Sequence, residues 1–359
     1  MNGFTTMQIR IASTFLFITI IGLMAFSCVT SEQSASTKRE AREYYTSSFP
    51  DRNISSSLEN IQRSIKRIVT SATYQTFYMG DQLIIRDQID PDNLRSQATR
   101  VLTSTENTAG TAIALYSSFR GKIALLTCAH VVDFPDTLIT YREEDRLPPN
   151  TYVRSVTVKQ LQTNFIYDLP DVGEFEIVDM DQDLDLALLE VDQKEFDNLN
   201  LPTLPLQLGD SRQLRLGSFL YILGYPKGYT MVTKGIVSNP NRTADGDFLT
   251  DALFNPGISG GLIIANRGDY PAFEWVGMAN TASATSEFSL IPNPVLNYKY
   301  ETPSPYPDTL ATFVHEYSRL SYGITMAIPM QKIAAFMQRQ ERYLKDNRYH
   351  MKYDFSAVR

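Results

Sequence analysis

Asn255-Pro256-Gly257-Ile258-Ser259-Gly260-Gly261-Leu262, preceded by Thr250-Asp251-Ala252, sets a serine among glycines between two apolar runs. Glycine adopts backbone angles that side chains forbid, so such a turn lets a substrate approach closely and lets amide N–H groups point inward. A Gly-rich hairpin turn has the same composition, so the serine acquires chemical meaning only from partners elsewhere. The runs around it decide the fold. Short β-branched and aromatic stretches alternate with turns at residues 73–78, 82–85, 110–115, 123–127, 153–161, 175–178 and 184–191. A second series follows at 219–223, 231–238, 248–254, 262–265, 273–279 and 323–328. Many short strands, without intervening helices of roughly 10–15 residues, predict an all-β barrel or sandwich and argue against a parallel α/β sheet.

Pro202 and Pro205 mark a crossover between two β units. A terminal helix is predicted after Pro329, with Ile333, Phe336, Met337 and Leu344 at helical spacing. Ahead of the strands, Ser56-x-x-Glu59 reads as a capping box opening a helix with Leu58, Ile61, Ile65 and Ile68 on one face. The 29 residues after Met330 are too few for another domain.

Charged residues make up 20% of the 359-residue chain and apolar residues 43%, the profile of a globular protein with ample core. A net charge of −7 and no Lys/Arg cluster set nucleic-acid binding aside. Residues 11–27 form an apolar run behind Arg10 and ahead of Cys28, which reads as a secretory signal. Met24-Ala25-Phe26-Ser27-Cys28 resembles a bacterial lipobox, with Ala25 where leucine is usual; Cys28 would then be lipidated and become the mature N-terminus. A cleaved soluble form and an uncleaved membrane anchor are the alternatives. Residues 29–55, rich in Ser, Thr and charge, are expected to be a solvated tether. The other cysteine, Cys128, is expected to be a small buried core residue. No His/Cys/Asp cluster has ligand spacing in the sequence, so neither a metal nor a cofactor is predicted.

A serine hydroxyl needs a base within hydrogen-bond reach. The chain offers His130, His315 and His350. His130 ends an apolar strand in Thr127-Cys128-Ala129-His130-Val131-Val132, where a side chain can emerge at a barrel rim. His315 lies in a long polar insertion and His350 in a polar tail, both expected to be solvated. A histidine base needs a carboxylate to fix its tautomer and stabilise the imidazolium. Asp183-Leu184-Asp185-Leu186-Ala187-Leu188-Leu189 supplies two at the mouth of an apolar strand.

These segments together resemble the chymotrypsin-fold serine proteases, specifically the HtrA/Deg branch. The segment around His130 resembles that branch's histidine motif, Asp185-Leu-Ala-Leu-Leu its aspartate motif, and residues 250–261 its serine motif. Gly110-Thr111-Ala112, Gly224-Tyr225-Pro226-Lys227-Gly228 and residues 324–329 fit in the family's order, so the resemblance covers roughly residues 60–345. It implies a protease domain at 56–345 with two six-stranded antiparallel β-barrels, at about 70–200 and 205–330, and short flanking helices. A helix at 331–347 and a tail at 348–359 would complete the chain. It implies a triad of Ser259, His130 and Asp185, an oxyanion hole from the backbone N–H groups of Gly257 and Ser259, and a specificity pocket bordered by Leu253 and Gly277. An apolar Leu253 there implies uncharged, aliphatic side chains on the substrate.

The implied partners are protein or peptide substrates, a membrane through the lipid at Cys28, and further copies of the chain through residues 56–85. The implied location is exported, anchored, and facing the periplasm or cell surface, without a PDZ domain. Ile258 replaces the family's usual Asn, Leu262 stands where Pro is common, and residues 141–171 and 283–321 look like insertions. Two rival readings stand beside this one. Gly257-x-Ser259-x-Gly261 also matches the nucleophile elbow of α/β-hydrolase esterases, but that fold needs a helix after the serine, and residues 262–265 read as a strand. The other is a non-catalytic peptide-binding lipoprotein on a protease-like scaffold.

Overall fold

The computed structural model describes residues 45–47, 53–142, 148–167, 173–192, 201–268, 272–292 and 312–358, with backbone alone for 281–292 and 312–322. The signal-like run and Cys28 lie outside the described residues. No described helix is long and apolar enough to cross a membrane.

The first helix, α1 (Ser55–Gln62), stops short of the apolar spacing that suggested it, and Ile65 and Ile68 lie instead on β1 (Ile65–Tyr78). The run Ile65 to Thr70 is rich in β-branched side chains, which favour a pleated surface. The expected capping box does not form: the N-cap is Ile54, and the Ser55 N–H donates to Asn53 Oδ1 at 3.0 Å. The stretch 82–85, expected as a strand, contributes only an isolated bridge between Ile85 and Tyr152. After it come the one-turn helix α2 (Leu94–Gln97) and β2 (Arg100–Ser117), whose residues 100–113 pair with the whole of β1.

The first half continues through β3 (Lys122–Thr127), the one-turn helix α3 (Ala129–Val132), β4 (Thr137–Tyr141), β5 (Val153–Ile166), β6 (Phe175–Asp181) and β7 (Leu186–Asp192). Their sheet order is β4-β5-β1-β2-β3-β7-β6. A single bridge between Phe165 and Glu174 brings the end of β5 to the start of β6, so this half is a half-barrel rather than a closed cylinder. The second half comprises β8 (Gln207–Leu208), β9 (Phe219–Gly224), β10 (Met231–Asn239), β11 (Phe248–Thr250), β12 (Leu262–Asn266), β13 (Phe273–Pro292) and β14 (Thr312–Pro329). Here β12-β9-β10-β11-β14-β13 closes through the β12–β13 pairing into a six-stranded barrel, with β8 added parallel to β13. The all-β, chymotrypsin-like architecture is present, with one barrel closed and the other open. The insertion expected at 283–321 is in part a ribbon: β13 and β14 stay paired from Ala284 opposite Leu320 to Pro292 opposite Thr312.

Two terminal helices, α4 (Met330–Arg339) and α5 (Glu341–Asp346), fold back onto the barrels. One apolar cluster joins Leu126 and Leu188 of the half-barrel to Leu262 and Trp275 of the closed barrel, and takes in Phe336, Leu344, Tyr349 and Phe355. The expected tail is therefore packed core, because its aromatic side chains have a cleft to fill. Glu190 on β7 fixes this arrangement: it pairs with Lys122 and accepts the hydroxyls of Tyr343 and Tyr349, each at 2.8 Å. Burial alone would push its carboxyl pKa up; the Lys122, Tyr343 and Tyr349 donors outweigh that and hold it below the ordinary value. At the other end, the supposed tether includes a buried anchor. Tyr45 donates to Glu274 at 2.8 Å, accepts the Asp210 N–H at 2.9 Å, and lies beneath the Arg267 guanidinium.

Candidate active site

The serine turn is built by glycines that nothing larger could replace. Gly257 sits at φ +98°, where a Cβ would come within 2.5 Å of Tyr225 O. Gly260 sits at φ +84°, where a Cβ would fall 1.9 Å from Thr111 O. Within the turn, the Ile258 N–H donates to Asn255 O at 3.1 Å and the Gly261 N–H to Ile258 O at 2.8 Å. From outside, the Lys227 N–H donates to Pro256 O at 2.7 Å. Both departures from the family motif are core residues. Ile258 is buried in the closed barrel's cluster, close enough to Gly224 that a Cβ there would meet its δ-methyl at 2.8 Å. Leu262 is buried at the start of β12, paired with Leu223 and Met278.

Thr111 holds this turn against the half-barrel. Its Oγ1 donates to Gly257 O at 2.8 Å and accepts the Tyr225 N–H at 3.0 Å. Its own N–H donates to Ser259 O at 2.8 Å, and its carbonyl accepts Thr127 Oγ1 at 2.7 Å. In sequence, Thr111 stands in a family-like motif with no role attached to it. Its one visible signal was a hydroxyl beside a glycine in an otherwise apolar strand.

Val131 and Val132 bury the turn α3 and leave His130 facing outward. His130 Nδ1 lies 2.8 Å from Asp185 Oδ2, and the His130 backbone N–H donates to Asp185 Oδ1 at 2.9 Å. One carboxylate thus fixes both the ring and the main chain of the same residue. Asp185, not Asp183, makes this pair. It sits at φ +55°, a left-handed conformation that Asp adopts more readily than most residues. The turn leading into it is braced by Asp181, whose Oδ1 accepts the Leu184 N–H at 2.8 Å and whose Oδ2 pairs with Arg339 from α4. The Leu184 N–H and then the Arg339 side chain hold the Asp181 carboxyl pKa below its ordinary value.

The serine and histidine segments are pressed together. A Cβ on Gly110 would strike Val131 at 2.5 Å and come within 3.2 Å of Ser259 O. Beneath them lies fully buried Cys128, whose thiol donates to Ala279 O at 3.4 Å. The expectation of a small buried core residue holds there. Ser259 Oγ donates to the Asn280 carbonyl at 2.9 Å, and no hydrogen bond joins it to His130. The N–H groups of Gly257 and Ser259 have no hydrogen-bond partner among the described residues. Leu253 is 56% exposed, whereas Gly277 is buried and faces inward. A Cβ on Gly277 would lie 2.6 Å from Ile328 O and 3.3 Å from the Phe248 ring, so the strands pack closely at that glycine. His350 stacks on Phe119 at 3.8 Å in the packed tail; the side chain of His315 lies outside the described residues.

A hydroxyl on a glycine turn and an imidazole–carboxylate pair, at the rim between the half-barrel and the closed barrel, form an arrangement similar to that of the trypsin-like class. Residues 110–272 match the trypsin-like peptidase domain. The chain resembles proteases of the HtrA type. It is 40% identical over 112 residues to a DegP-like periplasmic serine endoprotease of Pseudomonas putida, covering 29% of this chain and 22% of that one. It is 33% identical over 121 residues to the Do-like serine protease HtrA of Lactobacillus helveticus, covering 31% of this chain and 28% of the relative. The match thus spans about a quarter of these relatives' own length. Among solved structures, an HtrA-type protease with a bound decapeptide superposes with a TM-score of 0.43 at 18% identity, over 81% of this chain and 67% of that chain.

Proposed function

We propose that this chain is an exported serine endopeptidase that cleaves proteins or peptides through an acyl-enzyme. The observation that carries the proposal is the double grip of Asp185 on His130, Oδ2 on Nδ1 and Oδ1 on the backbone N–H. With Nδ1–H committed to Asp185, the free nitrogen Nε2 is left as the acceptor a serine proton needs. Ser259 attacks the peptide carbonyl as its hydroxyl turns from Asn280 O to the imidazole, a bond that commonly tightens only with substrate bound. The unpaired N–H groups of Gly257 and Ser259 then stabilise the oxyanion, each worth roughly 3 kcal/mol in enzymes of this kind. Water releases the acyl group by the reverse proton path.

The exposed apolar side chain of Leu253 supports a preference for uncharged aliphatic residues. A cleavage profile dominated by Arg or Lys would overturn that preference. A signal at residues 1–28, lipidation at Cys28, a membrane-facing location and association through residues 56–85 extend the proposal to the native setting. Loss of lipid incorporation in Cys28→Ala tests the anchor, and sedimentation of the soluble chain tests the association. The decisive experiment for the activity is fluorophosphonate labelling at pH 7–9 beside casein hydrolysis. Wild type should label and cleave, and Ser259→Ala should do neither. A folded wild type that takes no label would return the chain to the peptide-binding reading.

A further inference from the structure

We propose that Cys128, His130 and Asp185 form an inhibitory site for a thiophilic divalent cation such as Zn2+ or Cd2+, one that silences the catalytic base when filled. This rests on the proposed role of His130. One donor atom from each of the three residues, the Cys128 sulfur, a ring nitrogen of His130 and a carboxylate oxygen of Asp185, lies within 4.8 Å of the others. Tetrahedral zinc, with bonds of about 2.0–2.3 Å, holds neighbouring donors roughly 3.3–3.8 Å apart. The existing cluster therefore needs shifts of about an ångström or less, including a modest opening of the 2.8 Å contact between His130 Nδ1 and Asp185 Oδ2. Thiolate, imidazole and carboxylate together form a mixed set that suits zinc and cadmium better than hard cations. His130, with a side chain 40% exposed, offers the way in from solvent, and Cys128 forms the floor.

The protonation states explain why the site is silent without the cation. Burial, and then the negative charge of Asp185, keep the Cys128 thiol protonated well above its ordinary range. Its present contacts are the Ala279 carbonyl at 3.4 Å and Met278 Sδ at 3.9 Å. A divalent cation reverses that preference, because a coordinated thiol ionises. On binding, the thiol proton leaves to solvent, and the imidazole proton moves from Nδ1 to Nε2 as Nδ1 becomes a ligand. The cation's two positive charges are then matched by one thiolate and one carboxylate. Nε2 now carries the hydrogen and can no longer accept one from Ser259. The enzyme is left folded, with its nucleophile intact and its base in the wrong tautomer.

The test uses the full chain titrated with ZnCl2 and with CdCl2. Expected are one cation bound per chain, one proton released, and a thiolate-to-cadmium absorption band in the ultraviolet. The fluorophosphonate labelling rate should fall by a factor on the order of 10³–10⁴, as it does with a wrong tautomer in this class, and EDTA should restore it. Cys128→Ala should label at the wild-type rate, show no band and resist both cations. If Cys128→Ala does not fold, Cys128→Ser should show the same loss of the cadmium band. Equal inhibition of the Cys128 variants, or inhibition of wild type without the band, would overturn the site. The absorption band needs no catalysis: a Cys128-dependent band on a protein that never labels would defeat the hydrolase reading and leave the metal site standing.

Discussion

Replacing Gly260 by alanine probes how closely the serine turn is pressed onto the histidine's half-barrel. Two costs are separable. The residue sits at φ +84°, and a side chain in that conformation costs about 1–2 kcal/mol. The new Cβ would also fall 1.9 Å from Thr111 O and 2.6 Å from Thr127 Oγ1. The first of these atoms is backbone, held by the Thr127 hydroxyl, so the strain is relieved only by shifting the turn; overpacking of this kind costs about 1–3 kcal/mol more. The sum is about 2–5 kcal/mol, which for a chain of this size lowers Tm by about 3–8 °C. Gly217→Ala is the control: it has φ +82°, but the nearest atom to its Cβ is Ser47 Cβ at 4.0 Å, so only the conformational part applies. Scanning calorimetry of both variants isolates the clash, and fluorophosphonate labelling reports whether Ser259 has moved. Equal melting of the two proteins, with Gly260→Ala labelling at the wild-type rate, would refute the close approach of the serine turn to Thr111.

Asp185→Asn should keep the fold, since Asn tolerates φ +55° and its oxygen can still accept the His130 N–H. Its amide N–H2 would face Nδ1 and impose the wrong tautomer, so kcat should drop on the order of 10⁴, with Tm near wild type; activity within about tenfold of wild type at pH 8 would contradict the assigned role. Glu190→Gln removes the charge that holds Lys122, Tyr343 and Tyr349, and should destabilise the chain by about 2–4 kcal/mol in denaturant titrations at pH 7. The Glu190 pKa is lower folded than unfolded, so the unfolded state binds more protons as acid is added. Its contribution is complete above the unfolded carboxylate range and is lost as pH falls through the folded pKa. The variant's stability should therefore fall less steeply than wild type on acidification, and parallel acid limbs would rule this out.

Apolar patterning carried most of the strands because a half-buried sheet writes its burial into the sequence residue by residue. The terminal helix was legible for the same reason. Where pattern failed, a local signal competed with a tertiary one. Ile65 and Ile68 fit helical spacing with Leu58 and Ile61, yet the pairing partners of β1 are strands far along the chain, and no local window contains them. The tail's aromatic residues looked solvated because the cleft they fill is made by other elements. His130, Asp185 and Ser259 could be proposed from sequence because each sits in a distinctive motif. Thr111 and the Asn280 carbonyl could not be given roles, since they act through backbone contacts that side-chain identity does not advertise.

The departure at Ile258 bears on how the proposed oxyanion site is held in shape. A polar residue between Gly257 and Ser259 would need partners for its side chain, and the turn would be only as fixed as those partners. Ile258 instead buries its side chain among Leu220, Ile222, Val237 and Phe254, and burial of that size is worth about 1.5–3 kcal/mol. The packing has no polar group to titrate and no partner to lose, and a Cβ on Gly224 would crowd the δ-methyl at 2.8 Å. Rotating the Gly257 N–H out of the oxyanion site would mean pulling this side chain out of the barrel core. The same turn is held from the opposite side by the Thr111 hydroxyl on Gly257 O. With apolar burial on one face and a buried hydroxyl on the other, the turn that carries the two proposed oxyanion N–H groups is held in place from both sides. What is left to move is the Ser259 hydroxyl itself, one torsion away from its bond to Asn280 O.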